Sequence, residues 1–578
     1  MRRHAILHIP DTPYAYPSGK DSLNLRLRTA NGDRAEVKVR YKDRYDWTGR
    51  FQEKAMEHFA EDSLFEWFEC KVSLPRNRYR YYFEITDNKG TKLWLDERGL
   101  KDTEDNMEAA AFQYAYIGES DVYMESDWLQ SSVAYQIFPD RFENGDKSND
   151  PDGTLRWGMK PTTKSMFGGD LRGIINRLDH IKKLGADLIY MTPIFSSSSN
   201  HKYNTMDYYS VDKSFGSMED VRELIEKCHN LGMRIIFDAV FNHSGSDFFA
   251  FRDILENQTD SKYADWYHLE GFPVRTDKVN YYTFADSIPS MPKFNISNPE
   301  VREYLLGVGK YWVKEMGIDG WRLDVCDEVD HSFWKDFRKA VKSVKEDAVI
   351  IGEIMHEASS FLKGDELDSI MNYPFKGASV DFFAKRAIDA ERFSGILASS
   401  RALYMDHINR QMWNLLGSHD TQRFLTEAGE DKGRLRLAAA FQFMYIGVPY
   451  IYYGDEIGMS GGKDPLCRGC MVWDEDKQDM DLLMFFRRLI AIRKENPELV
   501  KGDLKMEVAK DGLVAFSRRS KDERILAVFN NSDQKKKLRK GIPSRAIDLY
   551  TGDTMELNGS VVILPMGFLA LKVLEDRT

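Results

Sequence analysis

The sequence has only five cysteines in 578 residues, no run of apolar residues long enough to cross a bilayer, and no basic excess. A membrane-spanning helix needs about 20 consecutive apolar residues, and none is present. Lys and Arg total 81 against 92 Asp and Glu, a net charge of −11, so binding to nucleic acid through phosphate neutralisation is not expected. The basic stretch KKKLRK (535–540) is local and reads as a solvated loop. At the N-terminus, MRRHAILHIP breaks its apolar run at His8, too early for a secretory signal, so no leader is expected. Cys70, Cys228 and Cys326 stand alone in apolar runs. Cys228 lies on the apolar stripe Val221, Leu224, Ile225, Cys228, Leu231, a helix face turned to a core. Cys467 and Cys470 form a C-x-x-C with no second cysteine pair or histidine pair near it, which is weak ground for zinc or redox chemistry. A reducing, cytoplasmic setting follows.

What the chain does contain falls into three textures. At roughly 150 residues per domain the length suggests about four domains, or one large barrel with appendages. Residues 1–125 alternate apolar and polar positions (Leu23, Leu25, Leu27; Val37, Val39, Tyr41; then YRYYFEIT) between turn signals such as NGD and DNKG, the pattern of an antiparallel β-sandwich. Residues 126–505 alternate short, continuously apolar runs with amphipathic stretches. The runs are SVAYQIF, ADLIYMTPI, MRIIFDAVF, GWRLDV, AVIIGEI, DSIMNYP, WNLLGSH and PYIYYGD. Continuous apolarity marks parallel strands buried on both faces, and eight strand–helix alternations point to an α/β fold, a (β/α)8 TIM barrel. The helix SMEDVRELIEKCHNLG carries its own punctuation, with Ser217 as N-cap, Asp220 completing a capping box and Gly232 as stop. Residues 244–297, aromatic and irregular, read as a small lid-like insertion after the third strand. Residues 506–578 return to alternation and read as a C-terminal β-domain.

In such a barrel the reacting groups stand at the C-terminal ends of the strands. There the sequence places Asp238 and His243 (third), Arg322 and Asp324 (fourth), Glu353 (fifth), and His419 and Asp420 (seventh). Acids in apolar strands are costly unless paired or in use, and four on one rim exceed what stability explains. Residues two apart on a strand face the same way, so Arg322 is expected to lower the pKa of Asp324 and keep it charged as a nucleophile. Glu353 ends an apolar run, and desolvation there is expected to keep it protonated as a general acid. Two carboxylates with opposed environments are what retaining glycoside hydrolysis requires.

The stretches DAVFNH (238–243), GWRLDV (320–325), GEI (352–354) and LLGSHD (415–420) resemble, in order and spacing, the four hallmark regions of the alpha-amylase superfamily, glycoside hydrolase family 13. MPKFN (291–295), CRGCMVWDE (467–475) and the N-terminal β-domain resemble its neopullulanase, cyclomaltodextrinase and maltogenic amylase group. The resemblance implies Asp324 as nucleophile, Glu353 as acid/base and Asp420 as transition-state stabiliser. It implies Arg322, His243, His419 and Tyr203 as the groups holding the sugar at the cleavage subsite, and Asp238 as a support of the barrel mouth. Phe284 and Tyr282 of the insertion are candidate sugar-stacking faces. Met355, Cys326 with Asp327, Asn204 and Phe361 stand where that group usually has Trp, Ala-Asn, Asp and Trp. Met355, Asp327 and the neighbouring Glu328 fall near the expected aglycone subsites.

The loop RFENGDKSNDP with FGGD gathers Asn144, Asp146, Asn149, Asp150, Gly168 and Asp170, hard oxygen donors of the kind calcium prefers, and the group has a structural calcium site with this pattern. The resemblance further implies a homodimer whose N-terminal β-domain narrows the partner's cleft. The expected substrates are α-glucan oligosaccharides, cyclodextrins and pullulan, cleaved at α-1,4 and in part α-1,6 bonds, with transglycosylation. The rival readings are an oligosaccharide α-glucosidase and a non-catalytic amylase-like carbohydrate-binding protein. The α-glucosidases usually lack an N-terminal β-domain, and the non-catalytic proteins typically lose one of the three carboxylates.

Overall fold

A computed structural model describes residues 1–574 except Met124 and Asp522. The chain forms two compact units. The first comprises Met1–Glu125, Arg386–Arg410 and Lys501–Thr578, the second Ser126–Lys385 and Gln411–Val500.

In the first unit, alternation does what the sequence implies. Leu23, Leu25 and Leu27 on strand Ser22–Ala30 face Val37, Val39, Phe83 and Ile85 across a sandwich of two antiparallel sheets. The other face of that strand is covered too. Arg26 is buried over the rings of Tyr16 and Phe59, pairs with Glu69 at 3.1 Å and donates to the Tyr404 carbonyl at 2.6 Å. Helix Ala390–Ala402 sets Ala398 and Ala402 against Trp67. Segment 386–410, placed by sequence within the barrel region, thus packs with the β-domains. The C-terminal sheet opens with strand Asp503–Lys510, so a boundary at 505/506 falls inside a strand. The basic stretch 535–540 is not simply a loop. Lys536–Leu538 pairs with Val561–Ile563 and buries Leu538, leaving lysines outward, because one apolar residue among cations suffices to anchor an edge strand.

The second unit is the barrel. Its strands are β1 (Ala134–Ile137), β2 (Leu188–Met191), β3 (Arg234–Ala239), β4 (Gly320–Leu323), β5 (Val349–Gly352), β6 (Ser369–Ile370), β7 (Trp413–Leu415) and β8 (Val448–Tyr452). All pair in parallel in the order β6-β5-β4-β3-β2-β1-β8-β7, and a parallel bridge between Met371 and Trp413 joins β6 to β7 and closes the ring. Every strand residue is buried apart from Arg234 at the start of β3, as two covered faces demand. Register sets Asp238 of β3 opposite Arg322 of β4. Gly320, at φ +155°, opens β4 where a Cβ would stand 2.2 Å from the Val349 carbonyl oxygen, so only glycine lets β4 and β5 approach this closely. The capping box at Ser217 and Asp220 forms as read, and Cys228 is fully buried on its helix. In the insertion, helix Phe249–Asn257 and a few isolated bridges surround an aromatic knot in which Tyr267 stacks on Phe294 at 5.1 Å and Phe251 meets both Tyr267 and Tyr281. Among the described residues no helix is long and apolar enough to cross a membrane.

Candidate active site

The site is built around one guanidinium. Arg322 is fully buried at the end of β4. Its Nη1 donates to both carboxylate oxygens of Asp238 at 3.0 Å and to Oδ1 of Asp324 at 2.8 Å, and its Nη2 lies 2.7 Å from Oε2 of Glu353. Asp324 and Glu353 therefore sit on adjacent nitrogens of one planar fork, close enough to address a single sugar ring. The chain turns sharply after Asp324. Val325 adopts φ +42°, strained for a β-branched residue, and its N–H donates to Glu353 Oε2 at 3.1 Å. That turn ties the loop after β4 to the carboxylate on β5.

Asp420 reaches the same centre from β7. The Gln136 side-chain amide donates to His419 Nδ1 at 2.7 Å, which leaves the imidazole proton on Nε2. Nε2 then faces Tyr203 Oη at 2.7 Å and Asp420 Oδ2 at 3.1 Å, and the Tyr203 hydroxyl donates to Asp238 Oδ2 at 3.0 Å. The rings of His419 and Tyr203 are parallel within 4°, with His201 stacked on the far side of Tyr203. Tyr190 supplies a further hydroxyl to Asp238 at 2.6 Å. Asp238 is thus held by two tyrosine hydroxyls and the Arg322 guanidinium.

Arg468 completes the ring, donating to Asp420 Oδ1 at 3.1 Å and to the His419 carbonyl at 2.8 Å. The C-x-x-C that contains it packs beneath His419. Both thiols are free and buried, and Cys467 donates to the His419 carbonyl. Sequence reasoning missed Arg468, Tyr190 and Gln136. For Gln136 a signal was present, a glutamine in the otherwise apolar SVAYQIF, whereas Arg468 carries none that local pattern could raise.

His243 is buried with its Nε2 lacking a hydrogen-bond partner among the described residues, and Phe284 lies tilted over its ring at 5.1 Å. Burial pushes His243 down to about 3 and His419 well below the usual histidine value, so both imidazoles are neutral. On the rim, Lys293 of MPKFN donates to Asn242 Oδ1 at 2.7 Å and to Glu328 Oε2 at 2.7 Å. Asp327 pairs with His356 at 2.8 Å, and Met355 beside it is exposed. Tyr282 is exposed and stacks on His268. Asn204 points away from this chemistry, bonded to the hydroxyls of Ser197, Ser198 and Ser199, and Phe361 is buried against His331.

Two electrostatic expectations are corrected. Asp324 is pushed up, not down: burial and the negative charge of Glu353 outweigh the pull of an Arg322 that is shared among three carboxylates. Glu353 does not lie in an apolar pocket, since the same guanidinium and the Val325 amide face it. Asp238 rises to about 6 and Asp420 to about 7, burial being the largest cause in both.

The oxygen-rich loop holds together largely through its own hydrogen bonds. Asn144 Nδ2 donates to Asp150 Oδ1 at 2.7 Å, and a Cβ on Gly168 (φ +74°) would collide with Asp150 and Asn144. Asp170 is spent as the N-cap of helix Leu171–Leu184, accepting from the N–H groups of Gly173, Gly145 and Asp146, with Asn149 Nδ2 at 3.4 Å. Asp146 turns onto Ser148. No cluster of three or more His, Cys, Asp or Glu side chains suited to a metal occurs among the described residues. The oxygens left buried without hydrogen-bond partners are Asn144 Oδ1 and Asn149 Oδ1.

The raised pKa of Asp420 has a measurable consequence. A carboxyl that titrates at about 7 when folded and near ~3.9 when unfolded favours the folded state below the lower value and loses that contribution as pH rises through the upper one. Asp420→Asn removes the buried charge, so its melting temperature should match the parent near pH 4 and exceed it by about 2–4 °C at pH 8. Parallel melting curves across that range would place the charge elsewhere.

Comparison with known proteins agrees with this geometry. The alpha amylase catalytic domain matches residues 136–480, and the alpha amylase N-terminal ig-like domain matches residues 1–118. A cyclomaltodextrinase of Thermoanaerobacter pseudethanolicus is 49% identical over 536 residues, covering 92% of this chain and 93% of that protein. Neopullulanase 2 of Thermoactinomyces vulgaris is 44% identical over 563 residues, covering 96% of each. A solved cyclomaltodextrinase structure superposes with a TM-score of 0.95 at 41% identity, covering 99% of this chain and all of that one. With its eight parallel strands and its carboxylates gathered at their C-terminal ends, the chain belongs to the alpha-amylase family of glycoside hydrolases.

Proposed function

We propose that this enzyme cleaves α-1,4-glucosidic bonds, and to a lesser extent α-1,6 bonds, of cyclodextrins, short maltodextrins and pullulan with retention of anomeric configuration, and that it transglycosylates when a sugar replaces water. The observation that carries this reading is Arg322 binding both Asp324 and Glu353 beside Asp420. Asp324 attacks the anomeric carbon while Glu353 gives its proton to the departing glycosidic oxygen. Glu353 then takes a proton from water, whose oxygen displaces Asp324 from the anomeric carbon. Asp420 lies on the positive charge that develops between these steps. His243 is placed to meet a sugar hydroxyl, and Tyr203 offers its ring as a floor. The names of the relatives support the substrate class, and nothing supports the non-catalytic alternative.

A calcium ion, when bound, would be held in the loop after β1 by Asn144 Oδ1, Asn149 Oδ1, the Asp150 carboxylate and the Gly168 carbonyl, with Asp170 fixing the loop through its N–H groups. Its role is structural. The family resemblance supports a homodimer, and five unpaired thiols support an intracellular setting.

Asp324→Asn should lower kcat on β-cyclodextrin by about 10³-fold or more while the protein stays folded, and the parent's first-formed product should be the α-anomer. Unchanged activity would remove Asp324 from this role, and a β product would reverse the assignment to inversion. Chelation should lower the melting temperature by about 5 °C, calcium should restore it, and Asp150→Ala should abolish the response; insensitivity to chelator would dismiss the ion. Sedimentation of the full chain should report a two-chain particle, and a single-chain mass would dismiss the dimer.

A further inference from the structure

Asp420 and Arg468 face each other from two loops, both outside the strand ladders. Asp420 follows β7, and Arg468 ends a single helical turn, Leu466–Arg468. A long side chain loses rotamer freedom when it is held in one geometry, so their 3.1 Å contact persists only if the backbone beneath Arg468 is fixed. Three successive carbonyls there are held by side chains from elsewhere in the barrel unit. That of Cys467 accepts from Arg423 Nε at 3.1 Å and from Tyr452 Oη at 3.2 Å. That of Arg468 accepts from Arg141 Nη1 at 2.8 Å, and that of Gly469 from Tyr453 Oη at 2.6 Å.

Among these donors Arg423 alone belongs to the stretch that bears Asp420, three residues further on. Its side chain is fully buried, so it does not meet a sugar. Its backbone N–H donates to the Gly461 carbonyl at 3.0 Å, and its Nη1 donates to Asp455 Oδ1 at 2.7 Å and to the Tyr453 carbonyl at 2.8 Å. The guanidinium lies over the ring of Tyr452 at 4.3 Å. One side chain thus joins the stretch of Asp420, the end of β8 and the loop of Arg468. A lysine could neutralise Asp455 equally well, but its single ammonium could not span that carboxylate and the Cys467 carbonyl as a planar fork does. On the far side of the same residue, the Cys467 thiol and Arg468 Nε both donate to the His419 carbonyl, at 3.2 and 2.8 Å. We propose that Arg423 is a positioning residue, which acts through the Cys467 carbonyl to hold Arg468 on Asp420. This function of Arg423 rests on the role given above to Asp420, because Arg468 matters to the reaction only through that carboxylate.

The test is a double-mutant cycle in the full-length enzyme, read as kcat and KM on β-cyclodextrin. Arg468→Ala should lower kcat by about tenfold or more and Arg423→Lys by about fivefold, each changing KM by less than about twofold, since the group disturbed is one that meets the transition state. Combined, the two substitutions should lower kcat no further than Arg468→Ala alone, because Arg423 then has nothing left to position. Arg423→Met together with Asp455→Asn removes the buried cation and its anion at once, leaving no unpaired charge, and takes the place of Arg423→Lys in the cycle should that variant fold poorly. Losses in kcat that multiply in the combined variant, or a lowered melting temperature with kcat unchanged, assign Arg423 to stability alone and overturn the proposal. Failure of the reading beneath it looks different: Asp420→Asn and Arg468→Ala then both leave kcat unaltered, which removes the role of Asp420 and that of Arg423 with it.

Discussion

The barrel mouth depends on a shortage of positive charge. One buried guanidinium, Arg322, serves Asp238, Asp324 and Glu353 at once, and a second, Arg468, serves Asp420. Burying ions is expensive, and attraction between them repays the cost only where the remaining lone pairs are bonded. Here the hydroxyls of Tyr190 and Tyr203 and the amide of Val325 do that. The pairing still leaves more carboxylates than cations. Burial, and after it the negative charge of Glu353, raises Asp238, Asp324 and Asp420, and in the proposed reaction a positive centre forming among them offsets that cost. An oxocarbenium-like transition state is that centre. Strain in the resting protein is thereby relieved selectively at the top of the barrier, which is the form of binding that accelerates a reaction.

Such a cluster persists only on a scaffold that does not yield. Asp238 and Arg322 come from neighbouring strands in fixed register, and Gly320 lets β4 lie close against β5, so their separation is set by the ladder rather than by the attraction. The left-handed turn at Val325 aims its N–H at Glu353, a conformation a valine holds only because its surroundings impose it. The chain Gln136–His419–Tyr203–Asp238 crosses the mouth from β1 to β3 and fixes one tautomer of a neutral imidazole, so Asp420 faces a hydrogen-bond donor whose charge does not change over the physiological range.

The barrel strands were legible because strands buried on both faces admit almost nothing but apolar residues, and a charged residue at the end of such a run stands out. The sandwich was legible from period-two alternation in Leu23–Leu27. Sequence spacing also placed Arg322 beside Asp324 correctly. It did not reveal that Arg322 is divided among three carboxylates, two of them from other strands, and this sharing reverses the direction of the Asp324 shift. Arg468 was hidden for a similar reason, its partner Asp420 lying 48 residues away in a loop without periodicity. Segment 386–410 looks like barrel helix by local pattern; its packing against Trp67 is a tertiary fact. The KKKLRK strand rests on a single buried leucine, too little pattern to outweigh five cations.

Depth separates what the chemistry requires from what selects the substrate. The groups around Arg322 are buried and interlocked, so a change there alters the charge balance of a dry site. On the rim, Asp327–His356 and Lys293–Glu328 are partly exposed pairs from loops, and Met355 projects into solvent. Exposed pairs contribute about 0–1 kcal/mol, so exchanging them barely disturbs the fold while altering what lies beside a leaving group or an acceptor. The buried cluster and the rim thus differ in what a change of residue costs the protein.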